Sequence, residues 1–103
     1  MIHTHLSTPG ITAECYAVPA GPLTIVFAVA EKGVLACGAI DPAALQTFGL
    51  ATARVRPPEK TSSVASAKDL LDGTVKEANP AAEALGIRIG MSGAEALALL
   101  SEA

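Results

Sequence analysis

Aromatic side chains are nearly absent from this chain: it has no tryptophan, and Tyr16, Phe27 and Phe48 are its whole aromatic complement. Recognition of single-stranded nucleic acid by base stacking needs exposed aromatic platforms, so that class of partner is not expected. The formal net charge of −3 points the same way, because phosphate backbones reward basic surfaces. Cysteine is also scarce. Cys15 and Cys37 are too few for a disulfide framework and read as free thiols in a reducing compartment. The first residues lack the charged-then-apolar pattern of a secretory leader, and a cytoplasmic protein is expected. A long apolar run is lacking too. The nearest approach, residues 23–40, is interrupted by Glu31-Lys32-Gly33, and each half falls well short of the ~20 residues a membrane-spanning helix requires. Neither nucleic acid nor membrane is therefore expected as a partner.

What is present is aliphatic. Half of the 103 residues are apolar, enough for one core built from Ala, Val, Leu and Ile, and the length suits a single domain over residues 1–103. Residues 2–6 alternate weakly, 7–10 carry turn chemistry, and 11–18 mix β-branched and small residues as a strand does. Residues 23–30 and 34–40 are apolar runs joined by a short polar, glycine-containing link, the composition of a hairpin. Asp41-Pro42 starts a helix, with the aspartate as N-cap and proline in the first turn. Ala44, Leu45, Phe48 and Ala51 then recur at helical spacing, which predicts a helix to about Ala53. Residues 54–66, with Pro57-Pro58, read as a mobile loop. Ser66 would cap a short helix that Gly73 ends, and 74–78 read as a half-polar strand. Asn79-Pro80 repeats the cap-and-proline device, and Gly86 closes that helix. Ser92 and Glu95 have capping-box spacing ahead of the last helix, whose inward stripe includes Leu97 and Leu100. The fold class is α+β: a small, mostly antiparallel sheet backed by three or four short helices.

The strand pair 23–30 and 34–40 is apolar at alternate and intervening positions alike, the mark of strands buried on both faces. Helices from so short a chain cover one face. A homo-oligomer is expected to cover the other, unless the N-terminal strands or the central loop fold over it.

Three segments together carry a family resemblance. They are residues 23–30 followed by Lys32-Gly33 and Cys37-Gly38; the stretch through Phe48-Gly49 to Ala53; and residues 82–97, reading AEALGIRIGMSGAEAL. In these the chain resembles the YunC-like family, a small bacterial and archaeal domain of unknown function. The resemblance covers most of residues 23–100, fits the N-terminal strands loosely, and departs over residues 56–63. It implies a compact α+β fold and no known reaction, and it transfers no catalytic residue.

Among candidate sites, Cys37-Gly38 at the end of a strand would suit a pocket mouth, glycine allowing close approach. A nucleophilic cysteine needs a base or a positive field; the only histidines are His3 and His5, and a buried strand cysteine is ordinarily an inert small hydrophobe. Gly90, Met91, Ser92 and Gly93 precede a helix, where free N–H groups favour an anion, with Arg88 or the pair Arg54 and Arg56 to supply charge; ordinary capping accounts for the same residues. His3 and His5 share a strand face, but two ligands do not make a metal site. The carboxylates are dispersed, and no cofactor-binding signature is present. The leading reading is a non-catalytic binding or assembly module acting as a homo-oligomer and recognising a small anion or a protein. The alternative is an enzyme using Cys37 at a pocket or a subunit interface.

Overall fold

The computed structural model describes residues 2–38, 40–56 and 67–101. These form ten elements in the order β1 (Ile2–Thr8), β2 (Ile11–Ala20), β3 (Leu23–Ala30), β4 (Gly33–Ala36), α1 (Pro42–Gln46), β5 (Ala51–Arg56), α2 (Ala67–Asp72), β6 (Thr74–Ala78), α3 (Pro80–Glu83) and α4 (Gly93–Ser101). The six strands make one sheet whose spatial order is the chain order. Every neighbouring pair is antiparallel except β4 and β5, which run parallel because α1 lies between them and returns the chain to the same end. The fold is a single α+β domain, as its composition suggests.

The hairpins follow from their turn residues. Pro9-Gly10 joins Thr8 to its partner Ile11, proline then glycine being the sequence of a type II turn. Gly21-Pro22 joins Ala20 to Leu23. β1 and β2 therefore extend the sheet sideways; they do not fold over it.

The helix expected over residues 42–53 is much shorter than its periodicity suggests. α1 ends at Gln46, and residues 51–53 belong to β5. Gly49, at φ +73°, donates to Gln46 O at 2.9 Å, and Leu50 N donates to Leu45 O at 3.3 Å. That pair of bonds is the Schellman arrangement, which glycine permits in the left-handed region. Past it, Ala51, Thr52 and Ala53 are buried beside β4, and sheet pairing overrides the alanines' helical preference. α3 ends by the same device, with Gly86 N bonded to Glu83 O and Ile87 N to Ala82 O. The loop expected over residues 54–66 is likewise corrected at its start, since Arg54 to Arg56 complete β5. Residues 57–66, including the Ser66 cap, lie outside the described residues.

One sheet face meets α2 and α4. Leu70, Leu97 and Leu100 pack there among Ala13, Cys15, Val26, Ala28, Leu35, Val55 and Val75, all buried. Each fully buried Leu or Val contributes about 1.5–3 kcal/mol of transfer free energy. Approach between the two helices is close: a Cβ on Gly93 would sit 2.0 Å from Leu70 O, so the first residue of α4 rests directly on the α2 backbone.

β3 and β4, expected to be alike, differ. Val34, Leu35, Ala36 and Cys37 are all buried, so β4 is covered on both faces within one chain. On β3 the outer residues are less covered: Phe27 is half-buried and Val29 exposed. The case for a covering subunit therefore narrows to the outer face of β2 and β3.

Candidate functional site

Register places a coherent set of side chains on that outer face. Across β1, β2 and β3, His3 pairs with Tyr16 and Tyr16 with Phe27, while His5 pairs with Glu14 and Glu14 with Val29. Directly opposed residues share a face, so two parallel rows result. In the first, the His3 and Tyr16 rings stack with centroids 4.7 Å apart and planes 6° from parallel. Tyr16 in turn stacks on Phe27 at 5.3 Å. The second row begins with a carboxylate held between two imidazoles: His3 Nε2 lies 2.5 Å from Glu14 Oε1, and His5 Nδ1 meets Glu14 Oε2. Hydrogen bonding to His5, and then to His3, lowers the Glu14 pKa below the ordinary carboxylate value.

The aromatic row continues onto β4 and β5, where Phe27 opposes Ala36 and Ala36 opposes Arg54. Arg54 donates from Nη2 to Glu77 Oε1 at 2.5 Å and from Nη1 to Gly38 O at 3.1 Å. Its Nε is buried with no partner among the described residues. The outer face thus carries an apolar and aromatic strip on β2 and β3, bounded by a histidine–carboxylate cluster on one side and an arginine–carboxylate pair on the other. An edge of charge around an aromatic centre suits a docking surface. It offers no activated nucleophile.

The sites expected from sequence come out differently. Cys37 is buried in the core, and its Sγ accepts from Val26 N at 3.4 Å. It packs with the residues facing α2 and α4, whereas His3 and His5 stand on the opposite, outer face, so the sheet separates thiol from imidazole within one chain. Cys15 is also buried and free, and burial raises its pKa, the direction that suppresses thiolate.

At Gly90, Met91, Ser92 and Gly93 all four backbone N–H groups have acceptors inside the chain. Gly90 N donates to Val75 O, Met91 N to Arg88 O and Gly93 N to Gly73 O, while Ser92 N donates to Glu95 Oε1 at 3.3 Å. Glu95 N reciprocally donates to Ser92 Oγ at 3.1 Å, which completes the capping box expected from the Ser92–Glu95 spacing. Arg88 donates from Nη1 to the local carbonyls Glu83 O and Ile87 O. Arg54 and Arg56 do lie in an extended segment, but a bulge between Arg54 and Val55 breaks its register. No donor at the 90–93 turn is left over for an anion. Among the described residues, no group of three or more His, Cys, Asp or Glu side chains is arranged to hold a metal ion.

Sequence reading missed Glu14 and Tyr16, and of Asn79 it gave only the helix cap. The first two were accessible from alternation alone, since Glu14 and Tyr16 sit two apart exactly as His3 and His5 do; what was lacking was the hairpin register that brings the pairs together.

These features define a small α+β domain with an apolar and aromatic strip on one sheet face. The chain belongs to the family described as a domain of unknown function, DUF1805, whose model matches residues 36–100. Its fold is similar to that of a solved protein of unknown function, TA1206 from Thermoplasma acidophilum. The TM-score is 0.85 at 21% identity, over 97% of this chain and 92% of that one. No curated protein matches the chain. No helix among the described residues is long and apolar enough to cross a membrane.

Proposed function

We propose that the domain is a non-catalytic binding or assembly module that acts as a homo-oligomer in the cytoplasm, associating through the outer face of β2 and β3. The observation that carries this reading is Val29, 40% exposed at the centre of a sheet, beside the stacked His3–Tyr16–Phe27 row. Removing such a strip from water favours association at roughly 25 cal/mol per Å² of apolar area. Its apolar and aromatic make-up favours a second copy, which brings the same strip, as the occupant. A two-fold axis along the strands, between β2 and β3, brings β2 of one copy over β3 of the other. By register, Tyr16 of one copy then lies over Phe27 of the other. The likeness of residues 82–97 to the YunC-like family belongs to the same reading and brings no reaction with it. A small anion at Gly90–Gly93 is not favoured, because it would have to displace acceptors already in place. The enzyme alternative is not favoured either, since Cys37 is buried away from both histidines.

The test is mass in solution by light scattering coupled to size exclusion. The native chain is expected to run as a multiple of 10.3 kDa, and Val29→Lys, with an unchanged circular dichroism spectrum, as a monomer. A native monomer overturns the reading, and so does an assembly that Val29→Lys leaves intact.

A further inference from the structure

A separate groove runs between the β1–β2 turn and the last helix. It has a volume of about 630 Å³ and is lined by Gly10, Thr12, Met91, Glu95, Ala98, Leu99 and Ser101. Its origin is the way α4 is used. Ala96, Leu97 and Leu100 face the core, which leaves Ala98 and Leu99 half-buried on the helix flank beside the hairpin end. Gly10 brings no side chain to the mouth. The size lies in the range of small-ligand sites, and the chemistry is divided: Met91, Ala98 and Leu99 are apolar, Thr12 and Ser101 are neutral and polar, and among the described residues Glu95 is the one ionisable group of the lining.

Glu95 is also held in place. Its Oε1 accepts from Ser92 N and from Ser92 Oγ at 3.1 Å, so the carboxylate reaches the groove as part of the capping box at no further cost in side-chain entropy. Oε2 takes no part in the box. Ser101 Oγ, by contrast, is committed to Leu97 O at 2.7 Å.

We propose that this groove binds a small amphipathic cation: a compact aliphatic body against Met91, Ala98 and Leu99, with its ammonium group paired to Glu95. A fixed carboxylate beside apolar walls selects a cation over an anion by charge and over a neutral analogue by the charge-assisted hydrogen bond. The site is distinct from the outer face of β2 and β3, so its failure leaves the assembly reading standing, and the converse also holds.

The experiment is an NMR titration of the full chain with hexylammonium, with hexanol and hexanoate as probes of the same length. Saturable shifts are expected at Thr12, Met91, Ala98 and Leu99 for hexylammonium, with hexanol about tenfold weaker and hexanoate weaker again, the tenfold corresponding to ~1.4 kcal/mol for one charge-assisted contact. Glu95→Gln preserves the capping box, because glutamine serves at that position, and is expected to erase the preference for the amine. Ala98→Phe, which fills the groove, is expected to abolish binding of both hexylammonium and hexanol. Equal affinity for the three probes overturns the proposal, as do shifts located elsewhere, no saturable binding of hexylammonium, or an amine preference that survives Glu95→Gln.

Discussion

Asn79 invites the sharpest test of how this fold is held. It is 3% exposed, and its amide uses all of its direct hydrogen-bonding directions on three elements at once. Oδ1 accepts from Thr52 N on β5 at 3.0 Å and from Ala82 N in α3 at 2.9 Å. Nδ2 donates to Pro42 O in α1 at 3.0 Å and to Leu50 O at 2.8 Å. The mix of two donors and two acceptors fixes which end of the amide is which. In Asn79→Ala, Thr52 N, Ala82 N and Pro42 O lose these partners inside the protein, whereas Leu50 O keeps the Thr52 hydroxyl at 3.0 Å. An unsatisfied buried group costs about 1–3 kcal/mol. Taking the lower part of that range for three groups, because water can enter the space left, gives a loss of about 3–5 kcal/mol. Asp41→Ala is the matched control: the same device at the start of α1, but exposed and with one side-chain bond, to Ala43 N at 3.0 Å, worth about 1 kcal/mol. Urea denaturation measures both, with an unchanged m-value confirming that the denatured state is the same. The melting temperature of Asn79→Ala is expected to fall by about 12 °C or more, at about 4–8 °C per kcal/mol for a domain of this size. Equal losses for the two variants would refute the idea that Asn79 ties α1, β5 and α3 together.

Two further outcomes are expected. The Glu14 carboxyl is lowered from its ordinary value of 4.5 by His5 and then His3, so its contribution to stability is present above that value and is lost as pH falls through the lower folded-state value. In a carboxyl-carbon NMR titration, His5→Ala should bring the Glu14 midpoint back up more than His3→Ala does, and an unmoved midpoint in both would contradict the pairing. Cys37 and Cys15, both buried, should react with a thiol reagent at neutral pH only at the rate of unfolding, and burst labelling of Cys37 in the native state would reopen the enzyme alternative.

Local chemistry determined a good part of this protein on its own. Asp41-Pro42 and Asn79-Pro80 start helices, Gly86 ends one, and Ser92 with Glu95 forms a capping box, because each device is closed by residues within a few positions along the chain. The strand pair around Glu31-Lys32-Gly33 was legible for the same reason. Tertiary structure decided the rest. Ala51, Thr52 and Ala53 became a strand because β4 offered a pairing edge worth more than alanine's helical preference, a comparison no local window contains. β4 was buried on both faces by its own chain, while β3 was not. The N–H groups of residues 90–93 found acceptors at Val75 O on β6, at Gly73 O, at Arg88 O and in the capping box, so that the capping reading of this turn, not the anion one, describes its hydrogen bonds. Two histidines and a glutamate scattered over the first 14 positions became one cluster only through the register of a hairpin. Stabilisation of caps and turns falls off within a few residues along the chain, whereas faces, registers and buried hydrogen-bond partners depend on which distant segments come to lie side by side.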